Sequence, residues 1–206
     1  MADVARFDRL AAVYDRFEGA IPRPDVASGF AYAERDVERV LDLAGGTGRT
    51  AAALPGYDVT VLDAAAGMLR EARAKGLPVV RGDATRLPVA TGSVDAVVVT
   101  DALHHLDAPA AVGEATRVLR PGGVLVACDY DPRGPLGRAL VAAEHAAGFD
   151  STFYARGELA AVLAGAGLGV HALEAGFAYA LVGIKPTERA ERDSRERRER
   201  GEPVRG

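Results

Sequence analysis

The chain has no tryptophan, a single cysteine (Cys128), two methionines and four histidines among 206 residues. One cysteine excludes an intramolecular disulfide framework and a cysteine-rich metal site. Such usage suits a reducing compartment, and a cytoplasmic location is expected. No stretch approaches the roughly 18–20 apolar residues of a membrane-spanning helix. The start, Met1-Ala2-Asp3-Val4-Ala5-Arg6, is charged from its third residue and lacks the apolar core of a secretory leader. An excess of positive charge is also missing, since the formal net charge is −4. From Lys185 onward there are eight basic and six acidic residues, so the body before it is the acidic part. An acidic body is a poor match for a nucleic-acid polyanion, and no nucleic-acid partner is expected. No His/Cys/Asp set has metal-ligand spacing along the chain, so no metal is expected. No internal repeat is visible.

What the chain does have is glycine in one telling place. In Val40-Leu41-Asp42-Leu43-Ala44-Gly45-Gly46-Thr47-Gly48-Arg49 an apolar run ends and breaks into three glycines within four residues. Thr50-Ala51-Ala52-Ala53-Leu54 then reads as a helix. A strand that turns through glycines into a helix lets a ligand approach the backbone and aims free N–H groups at it. In open α/β sheets that turn sits at the carboxyl end of a parallel strand, where ligands bind. Gly46-Thr47-Gly48-Arg49-Thr50-Ala51 satisfies the G-x-G-x-x-G/A dinucleotide fingerprint. However, Asp42 stands before the loop, and a carboxylate there repels phosphate and suits a cation.

Asp42-Leu43-Ala44-Gly45-Gly46-Thr47-Gly48 resembles the first motif of the class I S-adenosylmethionine-dependent methyltransferases, and the later segments follow that family in order. Tyr57 to Asp63 reads as a second strand ending in an acid. Met68-Leu69 lies on the helix after it. Val79-Val80-Arg81-Gly82-Asp83-Ala84 is a third strand, Ser93 to Thr100 a fourth closed by Asp101-Ala102-Leu103-His104-His105-Leu106, and Arg117 to Leu125 a helix end, a Pro-Gly-Gly turn and a fifth strand. The resemblance covers about Leu10 to Pro186. It implies S-adenosylmethionine as cofactor, with Asp42, Ala44, Gly45, Gly46 and Gly48 around its methionine part and Asp63 on the ribose. Ala64 and Met68 follow beside Asp63, Asp83 and Ala84 meet the adenine, and Thr100 and Asp101 close the site. Tyr14-Asp15 matches a Tyr-Asp pair that the family often carries in its first helix, with the tyrosine near the methyl donor. The Ala44–Gly48 loop and Arg117–Gly123 are similar to ubiquinone/menaquinone C-methyltransferases. Those enzymes usually carry Asn where this chain has Ala64, and a Phe-Gly-Leu-Arg-Asn-like run where it has Asp101–His105.

The expected architecture is α/β and Rossmann-like, with a mainly parallel seven-stranded sheet, helices on both faces and a C-terminal antiparallel hairpin. Residues 1–38 are expected to form a helical lid: Val4 to Glu18 is amphipathic, Ile21-Pro22-Arg23-Pro24 breaks it, and a second helix runs about Val26 to Val37 over the sheet's carboxyl edge. Residues 39–186 form the methyltransferase domain. Leu136–Ala147 and Arg156–Ala164 read as helices, and Val170–Glu174 with Phe177–Ile184 as the hairpin. Residues 187–206 read as a charged, solvated tail. Its i,i+4 pairs Glu188/Arg192, Glu191/Arg195, Asp193/Arg197 and Glu196/Arg200 each place the acid first, the favoured order.

The implied chemistry is direct displacement of the methyl group onto a small-molecule acceptor, with O- or C-methylation expected. Positioning alone can contribute ~7–11 kcal/mol to such a reaction. An acceptor that must lose a proton needs a base, for which His104 and His105 are the candidates. The alternative for both is loop structure. Quinone-type C-methylation and a non-catalytic cofactor-binding protein on the same fold remain alternatives. The absent Tyr-x-x-x-Lys pair and the terminal hairpin count against a nicotinamide dehydrogenase. Oligomeric state is not legible.

Overall fold

The computed structural model of the protein describes residues 2–17, 25–174, 176–187, 189–190 and 192. Seven strands form one sheet: β1 Arg39–Leu43, β2 Asp58–Asp63, β3 Val79–Arg81, β4 Val94–Thr100, β5 Leu119–Tyr130, β6 Gly169–Glu174 and β7 Ala178–Ile184. The spatial order is β3-β2-β1-β4-β5-β7-β6. Strands β1 to β5 pair in parallel, and β7 runs antiparallel to both β5 and β6. The expected mixed sheet with its closing hairpin is therefore present.

Two apolar layers cover the sheet, and side-chain alternation sorts residues between them. Leu41, Leu43, Val97, Val99, Leu125 and Ala127 face one layer, with α4 (Ala108–Val118) and α6 (Arg156–Gly165). Val40, Ala96, Val98, Val124 and Val126 face the other, with α2 (Arg49–Ala52) and α3 (Ala66–Ala74). Successive Cβ atoms point to opposite faces, so a strand covered on both sides must be apolar throughout. Strand β4 shows it: Asp95 to Val99 are all buried. Its one acid, Asp95, lies at the amino end, where it accepts from the Glu38 and Arg39 N–H groups and pairs with Arg35 and Arg120.

Three expectations change. The segment at Val26–Tyr32 is a 3-10 helix, not an α-helix to Val37, and Asp25 caps it by accepting from the Ala27 N–H. It does not cover the carboxyl edge. Val26 and Phe30 pack on the sheet face with Val126 and Val182, and Gly29 meets Val126 so closely that a Cβ there would lie 2.7 Å from its methyl. Of the described N-terminal segments, α1 (Ala2–Phe17) is the one that reaches the carboxyl edge. The Pro121-Gly122-Gly123 turn is a bulge inside β5 rather than a lead-in: the pairing jumps from Val94↔Leu119 to Ala96↔Val124. Gly122 has φ 78°, and a Cβ on Gly123 would sit 2.6 Å from the Asp95 carbonyl oxygen. The tail's paired charges lie almost wholly outside the described residues.

The chain runs from β1 outward to β3 and returns beside β1 as β4. The crevice between the carboxyl ends of β1 and β4 is thus the topological switch point, where sheets of this kind bind ligands.

Candidate functional site

A cavity of about 580 Å³ opens at that crevice. Its floor is the β1–α2 loop (Ala44 to Thr47), and its sides are Asp63 to Ala65, Gly82 to Thr85 and Thr100 to Ala102. Helix α1 walls it with Asp3, Val4, Ala5, Phe7 and Asp8, and Leu106 and Asp107 complete the rim. The volume is in the range of small-molecule sites, ~300–1,000 Å³.

Three different constraints select the loop glycines. A Cβ on Gly45 would lie 2.5 Å from the Asp42 carboxyl carbon. Gly48 has φ 75°, and its Cβ would fall 2.3 Å from Leu77 Cδ1. Gly46 has φ 56°, yet its Cβ would meet only Met68 Sδ, at 3.8 Å. That position is therefore open towards the cavity, and any side chain there would occupy ligand space. Among the described residues, two non-glycine residues also take left-handed backbone, Ala44 (φ 53°) and Asp101 (φ 54°). They stand at the ends of β1 and β4, one on each side of the crevice. Strain of ~1–3 kcal/mol per residue concentrates at such functional positions.

Asp42 is fully buried beneath the loop and does not line the cavity. Its Oδ2 accepts from the Ala51 N–H, while Oδ1 has no hydrogen-bond partner among the described residues. Burial pushes its carboxyl up to about 7, against that hydrogen bond and helped by the nearby Asp63 charge. Asp63 does face the cavity. Its Oδ2 accepts from Gly46 N–H (2.9 Å) and its Oδ1 from Ala65 N–H (2.8 Å), so it ties the loop after β1 to the start of α3. Burial raises its pKa also. Met68 packs behind it, buried with Ala65 and Ala11 of α1. Asp8 Oδ1 accepts from Gly67 N–H, which pins α1 to the first turn of α3.

Asp83 and Ala84 line the far wall. The Asp83 carboxylate is held in its own turn by Thr85 N–H and Thr85 Oγ1, both at 2.8 Å, and those bonds lower its pKa. On the near wall Thr100 shares a 2.8 Å hydrogen bond with Thr50, and Asp101 faces Arg49 at 3.9 Å. Ala64 lines the cavity and its carbonyl accepts from Arg81 Nε. Tyr14 is on α1, but its side chain lies outside the described residues. The structure thus brings Ala44, Gly45, Gly46, Asp63, Ala64, Met68, Asp83, Ala84, Thr100 and Asp101 to one cavity. It leaves Asp42 and Gly48 beneath it as supports.

The two histidines separate. His104 is buried and does not line the cavity. Its Nδ1 lies 2.7 Å from Asp129 Oδ1, its Nε2 3.5 Å from Glu144 Oε1, and its ring stacks on Phe153 with centroids 4.1 Å apart. Burial opposes its charge, but Asp129 and Glu144 outweigh burial and lift the imidazole to about 10. His105 does line the cavity, edge-on to Phe7 of α1. Its own burial and the neighbouring His104 charge push it down to about 4. Of the two, only His105 reaches the cavity, and its surroundings disfavour the protonated ring.

Several residues at the wall or packed behind it were not legible from the sequence. Phe7 belongs to an amphipathic stripe that any packed helix shows. Asp3 and Asp8 are solvent-type residues until α1 folds over the sheet edge. Glu144 and Ser151, which bond to each other beside His105, carry no sequence signal at all.

Residues 41–127 match the family model described as a methyltransferase domain. A demethylmenaquinone methyltransferase of Beutenbergia cavernae is 46% identical over 101 residues, which is 47% of this chain and 42% of that protein. One from Clavibacter sepedonicus is 36% identical over 148 residues, 65% of this chain and 60% of that protein. The matched stretch covers less than half the length of several such relatives, 42% to 45%. Among solved structures, a methyltransferase of Thermotoga maritima described as S-adenosylmethionine-dependent and a possible histamine N-methyltransferase superposes with a TM-score of 0.70. It is 22% identical, with 87% of this chain and 97% of that one covered. At that identity the likeness is one of fold.

Proposed function

We propose that this chain, a class I S-adenosylmethionine-dependent methyltransferase that resembles the menaquinone C-methyltransferases, transfers methyl groups to a small and largely apolar acceptor. The observation that carries the reading is the charge of the cavity. Six aspartates line it (Asp3, Asp8, Asp63, Asp83, Asp101, Asp107), against two arginines, Arg49 and Arg81. A dinucleotide pyrophosphate would meet that field unfavourably. A cofactor bearing an ammonium and a sulfonium is drawn to it. The glycine loop fits the same group, because Gly46 presents bare backbone towards the cavity.

Within this reading each residue has a definite task. Asp63 keeps two oxygens fixed by backbone N–H groups and has lone pairs left for ribose hydroxyls. Asp83 and Ala84 offer a carboxylate and a backbone amide at the adenine end. Asp42 supports the loop from below through the Ala51 N–H, and its raised carboxyl would be drawn towards ionisation by a cationic cofactor above it. The cofactor, when bound, supplies an electrophilic methyl group. Val4, Ala5 and Phe7 of α1, with Leu106, form the apolar wall against which an acceptor lies, and they exclude water from it. A dry wall favours attack by an anionic nucleophile on a sulfonium, since charge is neutralised. His105 is the one histidine able to take a proton from the acceptor there.

A second reading, C-methylation of a quinol-type acceptor, is favoured by the relatives' names and by the apolar α1 wall. The departures at Ala64 and at Asp101–His105 count against it. A non-catalytic cofactor-binding role predicts instead that side chains fill the space beside the methyl group. The test is incubation with cell extract and isotopically methyl-labelled S-adenosylmethionine, read by mass spectrometry. A labelled small molecule supports the proposal and names the acceptor, and a labelled demethylmenaquinone selects the second reading. Cofactor binding with no labelled product in any extract would overturn catalysis.

A further inference from the structure

Behind the cavity wall, on its α1 side, lies a polar cluster that reaches the cavity only through His105. The short 3-10 turn Leu103–His105 carries two imidazoles, and α5 (Pro135–Ala147) brings Glu144 against them. We propose that His104, His105 and Glu144 form a binding site for a divalent transition-metal ion of the zinc type at the wall of the cavity.

The geometry supports it in three ways. First, the ligand atoms converge. His104 Nε2 lies 3.5 Å from Glu144 Oε1, His105 Nε2 lies 3.9 Å from the same oxygen, and one ligand atom from each residue falls within 4.8 Å of the others. Metal–ligand bonds of ~2.0–2.2 Å in a tetrahedron put ligands ~3.3–3.6 Å apart. One edge already has that length, and the rest requires His105 to close by roughly an ångström. Two His and one Glu is also the ligand set of open zinc sites, which keep a fourth position for water or substrate.

Second, the surrounding groups orient the ligands. Asp129, at the buried end of β5, holds His104 Nδ1 at 2.7 Å and so turns Nε2 towards Glu144. A carboxylate behind a histidine is the usual support of a metal-bound imidazole. Ser151 Oγ bonds to Glu144 and lies 3.4 Å from His105 Nδ1. The Thr152 N–H donates to the His104 carbonyl at 2.7 Å, which ties the two segments together. Third, the cluster is enclosed: side-chain exposures are 3% for His104, 10% for His105 and 19% for Glu144. It is not a solvated acidic patch.

Without an ion, His104 serves as a cation between Asp129 and Glu144. An ion at Nε2 displaces that proton to solvent, so metal binding competes with the imidazolium. Asp3 of α1 lies 3.7 Å from His105 Nδ1 and joins the helical wall to the cluster. The position beside an acceptor rests on the methyltransferase reading, whereas metal binding itself does not.

The experiment is a Co²⁺ titration of chelator-stripped protein, followed by visible absorption, with Zn²⁺ as competitor. One equivalent is expected to bind with micromolar or tighter affinity, and Zn²⁺ is expected to bleach the bands. His105→Gln and Glu144→Gln should each weaken binding by more than the roughly 10–100-fold of an outer-shell change, and Asp129→Asn should fall in that range. His104 is too buried to carry the test alone. No saturable Co²⁺ binding below about 1 mM, or wild-type affinity in both the His105 and Glu144 variants, would overturn the proposal. S-adenosylmethionine affinity measured on the same stripped protein separates this outcome from failure of the cofactor reading.

Discussion

Replacing Asp63 by alanine tests the cofactor site most directly. In the free protein this carboxylate already organises two segments, through Gly46 N–H and Ala65 N–H. Hydrogen bonds to a charged group contribute ~1.5–3 kcal/mol each. Both part-buried N–H groups lose their acceptor in Asp63→Ala, so the fold should lose at most about 3–6 kcal/mol, less whatever water restores. If Asp63 holds the ribose as proposed, those contacts are lost as well, which corresponds to about ten- to a hundredfold in affinity per bond. Asp63→Asn separates the two effects, because one amide oxygen can still accept from Gly46 while the charge and one acceptor are gone. Calorimetry with S-adenosylmethionine and a parallel thermal melt are the assays. Expected are a large loss of affinity in both variants and a smaller loss of stability in the asparagine variant. Unchanged affinity in a folded Asp63→Ala protein would remove Asp63 from the site and refute the assignment of this cavity to the cofactor.

Three further outcomes follow from the same geometry. Gly46→Val should abolish cofactor binding, since a β-branched side chain resists φ 56° and would project into the cavity; wild-type affinity would mean that the ligand lies elsewhere. Asp42 has a folded pKa raised from 3.8 to about 7, so its contribution to stability is lost as pH rises from about 4 to 7. Asp42→Asn should then gain on wild type above pH 7 by up to about 4 kcal/mol, less the cost of burying the amide N–H₂, and lose that advantage near pH 4. Parallel melting temperatures of the two proteins across that range would refute it. His105→Gln should lower kcat by about 10²–10⁴ if the acceptor must be deprotonated. With no ion bound the ring is held down to about 4, so turnover of chelator-stripped protein should stay flat from pH 8 to about 5 and fall only below that, rather than near 6.5. An inflection near 6.5, or a glutamine variant with near-normal turnover, would remove His105 as the base.

The order of elements and the glycine loop after β1 were legible in the linear sequence because both rest on local physics. Near-continuous apolar runs mark β1, β4 and β5, and the glycines at 45, 46 and 48 are demanded by close approach and left-handed backbone. The acids at the ends of β1, β2 and β3 could be placed for the same reason, since a strand end has a known position in a parallel sheet. The sequence alone could not divide their roles. Asp42 and Asp63 lie near the ends of adjacent strands, but Asp42 pairs with Val61, two places short of Asp63, so the glycine turn folds over the first while the second opens on the cavity. His104 and His105 are neighbours in the chain with opposite environments, and only the packing of Asp129, Glu144 and Phe153 around one of them makes it a cation. The segment at Val26–Tyr32 has helical content, but its length and its seat on the sheet face depend on contacts with Val126 and Val182, far along the chain. Local propensity specifies which elements form. Which side chains meet, and hence which proton and charge states they hold, is decided only when distant segments exclude water between them.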